Sequence, residues 1–395
     1  MIRHLASLAL LITSAAPIGA QTFDTRATAA YVLDHSTGIV LLEKNADDPL
    51  PPASMSKLMT LYMAFEAINP LNGQDPIVTV DDVLPVSQHC MDYTGSTMFL
   101  DTTDRVSVED LLRGVIVLSG NDASCVLAEG LSRSGTEAGF AQQMAMRARE
   151  LGMMNSSFAN SNGWPAAGQR MSMRDLGILA DRLITDYPTF YPLFSEQSFD
   201  YDGEHPANTQ NRNPLLALGI GADGLKTGHT SEAGYGLVGS AKQGDRRVIF
   251  VITGLDSAQA RAEEAERIVN WAFRQFAQRD VARGGTRIAQ AEVWMGEMPH
   301  VGLMLEEDLS LLVPTAGGAE IDAEVIFNGP IQAPITQGDS IAELVIRLEN
   351  LPETRVPLVA DTSIAAGGFS TRLRTAADVL VERVRTPDDA QVEVE

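Results

Sequence analysis

The chain holds only four lysines, Lys44, Lys57, Lys226 and Lys242, and two of them sit where an amine could do chemistry. Ser54-Met55-Ser56-Lys57 opens a segment with helical periodicity. Residues three apart on a helix share a face, so the Ser54 hydroxyl and the Lys57 amine fall side by side. An amine there can take the hydroxyl proton, provided burial keeps it neutral, and so turn the serine into a nucleophile. By itself the pattern is weak. At average serine usage, about one such chain in three carries a serine three residues before a lysine by chance.

Two further clusters add to it. Ser119-Gly120-Asn121 falls on a tight turn between predicted helices, where a hydroxyl and an amide could relay a proton and hold a peptide group. Taken alone, an ordinary interhelical turn is the plainer reading. Lys226-Thr227-Gly228-His229-Thr230 follows Ala222-Asp223-Gly224 and suits a strand lining a cleft. Glycine in a strand marks close approach of a ligand or backbone, so Gly228 fits such a wall. Lys226 and Thr227 would offer a charge and a hydroxyl to an anionic group. His229 is not read as the base of a Ser-His-Asp triad, because no serine lies in a G-x-S-x-G elbow. No metal or cofactor is expected: His35, His89, His205 and His300 show no H-x-x-x-H spacing.

The elements that must position these residues are legible. Residues 28–43 predict a hairpin, with His35-Ser36-Thr37-Gly38 as the turn. A helix is predicted from Ser54 to Ile68. Another opens at Ser107 with Asp110 in the reciprocal capping position, a third spans about Glu137 to Leu151, and a fourth runs from Met173 to Ile184 behind Ser172. Strands are predicted at Tyr235–Ala241 and Arg247–Thr253, then a long helix from Gln259 to Phe276. Helices clustered between strands indicate an α+β fold. Near Arg283-Gly284-Gly285 the composition changes to short strands between Gly, Pro and Asn turns. This predicts a small all-β, sandwich-like domain over 284–361 with no chemistry of its own.

The order S-x-x-K, S-x-N, K-T-G, with about sixty and then about a hundred residues between them, is the signature of penicillin-binding proteins and serine β-lactamases. Within that superfamily the chain resembles the low-molecular-mass D-alanyl-D-alanine carboxypeptidases, peptidase family S11. The resemblance runs through 52–60, 95–100, 119–123, Asn211-Arg212-Asn213, 223–230 and Ala233-Gly234-Tyr235, and covers nearly the whole mature chain. It implies the penicillin-binding transpeptidase/β-lactamase-like fold for residues 21–283 and a Ser54 acyl-enzyme, with Lys57 as base. It also implies that Ser119 relays the proton to the departing D-alanine while Asn121 holds the peptide. Lys226 and Thr227 would receive the terminal carboxylate, with Arg261 assisting and Arg212 a weaker candidate whose other reading is a structural ion pair. The backbone N–H groups of Ser54 and His229 would form the oxyanion hole beside Gly228. The implied substrate is a peptidoglycan stem peptide ending in D-Ala-D-Ala, and β-lactams are the implied inhibitors.

Three other functions share parts of this signature. A class A β-lactamase needs a glutamate in an E-x-x-L-N segment, whereas Glu150 and Asn155 here stand five apart without that pattern. A DD-endopeptidase would use the same residues. A non-catalytic peptidoglycan-binding protein would not need Ser54, Lys57, Ser119 and Lys226 intact.

The chain ends bear on location. Arg3, the apolar run Leu5–Ile12 and small residues up to Ala20 predict an export signal, 1–20, too short to span a membrane. The expected destination is the periplasm, peripheral on the outer face of the cytoplasmic membrane. Residues 362–395 predict an amphipathic helix and acidic tail. Phe369, Leu373, Ala376, Ala377, Leu380 and Val384 form its apolar stripe, flanked by Arg372, Arg374, Arg383 and Arg385, so residues 364–385 suit contact with lipid headgroups. That short, arginine-flanked helix departs from the family pattern. A formal net charge of −23 argues against nucleic acid and against general attraction to anionic lipid. Cys90 and Cys125 could form one bridge or stay as two buried thiols.

Overall fold

The predicted hairpin forms: β1 (Ala29–Asp34) and β2 (Ile39–Lys44) pair antiparallel, with Gly38 at φ +71° closing the turn. These are elements of a computed structural model that describes residues 23–315, 322–348 and 351–369. Residues Phe23–Arg274 make one compact unit, and those from Gln275 onward belong to a second.

In the first unit the chain runs through a 3₁₀ turn (Ala53–Ser56) directly into α1 (Lys57–Ile68). There follow β3 (Val83–Pro85), α2 (Gln88–Met91), β4 (Arg105–Ser107), α3 (Val108–Arg113), α4 (Asn121–Leu131), α5 (Glu137–Glu150) and α6 (Met173–Asp186). The chain returns as β5 (Ala222–Thr230), β6 (Gly234–Gln243) and β7 (Arg246–Leu255), and α7 (Ala258–Gln275) closes the region. The two predicted N-caps hold: Ser107 Oγ accepts from Asp110 N–H and Ser172 Oγ from Asp175 N–H, each at 3.1 Å. Each cap satisfies a donor that the first turn leaves unpaired.

The five-stranded sheet has the order β2-β1-β7-β6-β5, all antiparallel. Side chains alternate across a sheet, so each strand feeds two cores. Tyr31, Val238, Ile249 and Val251 face a cluster with Leu58, Leu61 and Phe65 of α1 and Leu176, Leu179 and Leu183 of α6. Val32, Leu237, Phe250 and Ile252 face Ile268, Val269 and Ala272 of α7. Burial on both faces explains why β6 and β7 read as continuous apolar runs. β5, which carries Lys226 and Thr227, pairs only with β6 and is an edge of the sheet.

The second unit corrects the predicted boundaries. It starts at Gln275, not 284, because β8 (Phe276–Ala282) pairs with a strand of this unit. It contains β9 (Arg287–Trp294), β10 (His300–Leu305), β11 (Leu309–Pro314), β12 (Asp322–Ile326), β13 (Ile331–Gln332), β14 (Ser340–Arg347) and β15 (Thr354–Ala360). β8 pairs with β11, and the other strands form a sheet in the order β12-β14-β15-β10-β9-β13. It does not end at 361 either: Ile364 is buried with Leu303, Leu344 and Leu358, and bridges to Ile335. Both ends were misplaced because one strand and one apolar anchor carry no turn signal that assigns them to a neighbour. The predicted export signal lies outside the described residues, and so does the terminal stripe beyond Phe369.

Cys90 and Cys125 are bridged, joining α2 to α4.

Candidate active site

The site is built around the 3₁₀ turn. Ala53 stands at φ +47°, a conformation unusual for a residue with a side chain, immediately before Ser54. Gly163, at φ +81°, lies against it: a Cβ there would fall 1.8 Å from the Ala53 carbonyl oxygen. Ser54 is half-buried, whereas Lys57, one turn along, is completely buried. From behind, Gln169 Nε2 donates to Ser56 Oγ at 2.7 Å and fixes the turn.

Lys57 Nζ has three oxygen partners: Ser54 Oγ at 2.9 Å, Asn121 Oδ1 at 2.7 Å and the Asn162 carbonyl at 2.8 Å. The Asn121 amide is itself oriented, because its Nδ2 donates at 2.7 Å to the Thr94 carbonyl, which can only accept. Asn121 Oδ1 and the Asn162 carbonyl also only accept. A neutral amine has two N–H donors, and these two oxygens use both. Its lone pair is then left facing Ser54, which is the geometry a general base requires. Burial, assisted by the positive charge of Arg212 and opposed by Asp122 and Glu137, brings the Lys57 pKa down to about 7.

Ser119 is buried and sits at φ +62° where a π-helical turn (Gly114–Leu118) meets α4, two residues before Asn121. Asn121 N–H donates to the Ser96 carbonyl at 2.7 Å, tying that turn to the 95–100 segment. On the other side β5 presses close to the 3₁₀ turn that carries Ser54. A Cβ on Gly228 would lie 3.0 Å from the Pro52 carbonyl and 3.2 Å from Ala53 Cβ. The glycine that the strand pattern flagged is therefore required for this contact. Thr227 is buried, and His229 is exposed, its ring stacked on Tyr235 at 3.9 Å.

Lys226 is 3% exposed and, among the described residues, its Nζ donates only to the Thr227 carbonyl, at 3.3 Å. Burial and the charges of Lys57, Arg212 and Arg261 push its pKa well below the usual lysine range. Arg212 hydrogen-bonds Ser96 Oγ, and Arg261 Nη2 donates to the Arg212 carbonyl at 3.4 Å while its Nε is buried without a partner. Burial lowers both guanidinium pKa values. Among the described residues, none of Lys226, Arg212 and Arg261 has a carboxylate in its electrostatic surroundings, so the structural ion pair considered for Arg212 is not seen. Lys226 and Arg261 are buried while Arg212 is exposed, and buried cations without counterions make a site that an incoming anion would stabilise. Glu150, the glutamate weighed against the β-lactamase pattern, is exposed and paired with Arg147 at 2.8 Å.

Comparison with known proteins decides the family. Residues 14–257 match peptidase family S11, D-alanyl-D-alanine carboxypeptidase, and 276–366 match the C-terminal domain of penicillin-binding protein 5. The chain belongs to the S11 D-alanyl-D-alanine carboxypeptidases. D-alanyl-D-alanine carboxypeptidase DacD of Escherichia coli is 34% identical over 90% of this chain and 92% of its own length. The crystal structure of penicillin binding protein 5 from Haemophilus influenzae, 30% identical, covers 88% of this chain and 100% of its own, with a TM-score of 0.76. Penicillin-binding protein D2 from Listeria monocytogenes, solved in its ampicillin-bound form, is 31% identical, covers 64% of this chain and 99% of its own, and has a TM-score of 0.56. As an S11 member the chain is a hydrolase of the penicillin-binding fold.

Sequence reasoning missed the Asn162 carbonyl, which lies 105 positions from Lys57, and the carboxylates of Asp122 and Glu137 that bear on its charge. A backbone acceptor leaves no mark in residue type, so no sequence signal could have found the first.

Because Lys57 must be neutral to act as base, kcat/KM is expected to rise with pH through a limb centred near 7. Arg212→Gln removes a positive charge that disfavours the ammonium, so the limb should move to higher pH. A pH–rate profile of both proteins checks this, and a limb that stays in place would remove Arg212 from the electrostatics of the base.

Proposed function

We propose that this enzyme removes the terminal D-alanine from peptidoglycan stem peptides ending in D-Ala-D-Ala, through an acyl-enzyme on Ser54. Lys57 takes the Ser54 proton as the hydroxyl attacks the penultimate D-alanine carbonyl. The developing oxyanion is held by the backbone N–H groups of Ser54 and His229. Ser119 passes the proton to the leaving D-alanine, while Asn121 holds the peptide from the side opposite β5. Lys226, Thr227 and Arg261 receive the terminal carboxylate, with Arg212 adding positive charge at the same cleft. Water then hydrolyses the ester. The observation that carries the assignment is the Lys57 amine, hydrogen-bonded to Ser54 and held by two acceptor-only oxygens.

A β-lactam presents the same carbonyl and carboxylate, so it should acylate Ser54 as well. Incubation with a fluorescent penicillin should label one peptide, the one containing Ser54, and a D-Ala-D-Ala pentapeptide should release one D-alanine. An adduct on another serine, or no D-alanine release, would overturn the reading.

The proposal extends to location: exported by residues 1–20, and held at the membrane surface by the arginine-flanked stripe that begins at Phe369. Phe369 is 82% exposed, and no helix among the described residues is long and apolar enough to cross a membrane. Because Ile364 belongs to the β core, the informative truncation removes residues 370–395 alone. That deletion should shift the protein from the membrane fraction to the supernatant at low salt without changing activity on a soluble peptide. If the full-length mature protein stays in the supernatant at low salt, the membrane reading is wrong.

A further inference from the structure

Glu137 is a buried carboxylate that no step of the mechanism uses. It is the first residue of α5, behind the N-cap Thr136, where the helix dipole favours a negative charge. One of its oxygens accepts from Ser161 N–H at 3.0 Å and from Ser161 Oγ at 2.6 Å. The other accepts from Tyr93 Oη at 2.8 Å and contacts His89 Nε2 at 2.9 Å. One carboxylate thus joins two segments far apart in sequence, and both lead to the general base.

The first arm runs through Ser161. Its carbonyl accepts from Thr60 Oγ1 at 2.6 Å and from Ser124 Oγ at 3.0 Å, and all three residues are fully buried. Thr60 stands one turn along α1 from Lys57, and Ser124 one turn along α4 from Asn121. The next carbonyl, that of Asn162, is an acceptor at Lys57 Nζ. The second arm runs through Tyr93. The carbonyl that follows it, that of Thr94, accepts from Asn121 Nδ2 and so turns Asn121 Oδ1 toward Lys57. The Cys90–Cys125 bridge anchors the start of this segment on α4, and the Tyr93 hydroxyl anchors its end on Glu137. Each acceptor-only oxygen at Lys57 is therefore set, directly or through Asn121, by a carbonyl one residue beyond a group bound to Glu137. A carboxylate suits this place because it only accepts, and its two oxygens serve several donors at once.

We propose that Glu137 is a positioning residue for the general base: it holds the Asn162 and Thr94 carbonyls where they leave the Lys57 lone pair facing Ser54. The inference rests on the reading of Ser54 and Lys57 as nucleophile and base given above.

The test is the rate of Ser54 acylation by a fluorescent penicillin, followed across pH in the wild type, Glu137→Gln, Glu137→Ala and Tyr93→Phe. Besides Glu137, the charged groups acting on Lys57 are Arg212 and Asp122, and the titratable groups touching Glu137 are His89 and Tyr93. Glutamine keeps one oxygen for Ser161 and offers an amide to Tyr93 Oη, so it preserves both arms and removes only the charge. Its acylation at high pH should stay within about threefold of the wild type, with the limb moved to lower pH, because a charge that favours the ammonium is gone. Glu137→Ala releases both arms and should lose on the order of a hundredfold at high pH, the scale of a misplacement of about 1 Å. Tyr93→Phe cuts one arm at a half-buried position and should lose about tenfold, with the limb in place. Thermal unfolding checks that each variant is folded. Wild-type acylation by folded Glu137→Ala would overturn the inference. So would a Glu137→Gln as slow as the alanine variant, which would make charge the cause. Should Glu137→Ala not fold, Tyr93→Phe decides, and acylation there at the wild-type rate would overturn the inference. A wild-type enzyme that penicillin does not acylate at Ser54 would overturn the serine mechanism itself, and this inference with it.

Discussion

Lys57→Arg should abolish acylation of Ser54 while leaving a folded protein. Arginine offers N–H donors on a side chain of comparable reach, but a guanidinium cannot give up its proton inside a protein, so it cannot act as base. The Asn121 and Asn162 oxygens would still find N–H donors, and the fold loses little. Loss of a positioned general base at a serine nucleophile costs on the order of 10² to 10⁴ in rate. Stopped-flow acylation with a fluorescent penicillin gives the rate, mass spectrometry locates the adduct, and circular dichroism confirms the fold. Labelling within a few-fold of the wild-type rate would show that Lys57 is not the base. The pH limb near 7 has the same origin, since below it the buried amine is an ammonium.

The second large effect concerns the charge of the substrate terminus. Lys226 and Arg261 are buried and Arg212 is exposed beside them, and among the described residues no carboxylate acts on the three. A terminal carboxylate would supply the missing counterion and restore the depressed Lys226 pKa toward the ordinary lysine value. Leaving one partner of a buried charge pair unmatched costs about 2–5 kcal/mol. A D-Ala-D-Ala peptide with its C-terminus amidated should therefore be cleaved on the order of a hundredfold more slowly than the free acid, or worse. Lys226→Met should bring the acid most of the way down to the rate of the amide. Cleavage of the amide within threefold of the acid would mean that the cation cluster does not read the substrate terminus. Neither experiment depends on residues 370–395, so both can be run on the mature protein or on the deletion of that segment.

The parts legible in the sequence are those in which geometry is local. Ser54 and Lys57 had to lie together once the segment was helical, because a three-residue step on a helix returns to the same face. The caps at Ser107 and Ser172 follow from side chains that reach their own first turn, and both formed. The residue type of Gly228 marks a point of close approach, and its neighbour is the 3₁₀ turn that carries Ser54.

Tertiary structure decided the rest, because those features depend on which distant segments meet. The second acceptor for Lys57 is a backbone carbonyl from residue 162, and any residue type could have supplied it. Whether Cys90 and Cys125 bridge depended on α2 lying against α4. Strand β8 and Ile364 joined the second unit through pairing and burial that composition does not encode. Most consequential is the meeting of Lys226, Arg212 and Arg261 without a counterion. Each arginine in the sequence could as well have been an ordinary ion pair. Only the packing of β5, α7 and the 211–213 segment around one cleft brings these charges together unmatched, two of them buried, and that arrangement is what the proposed carboxylate site rests on.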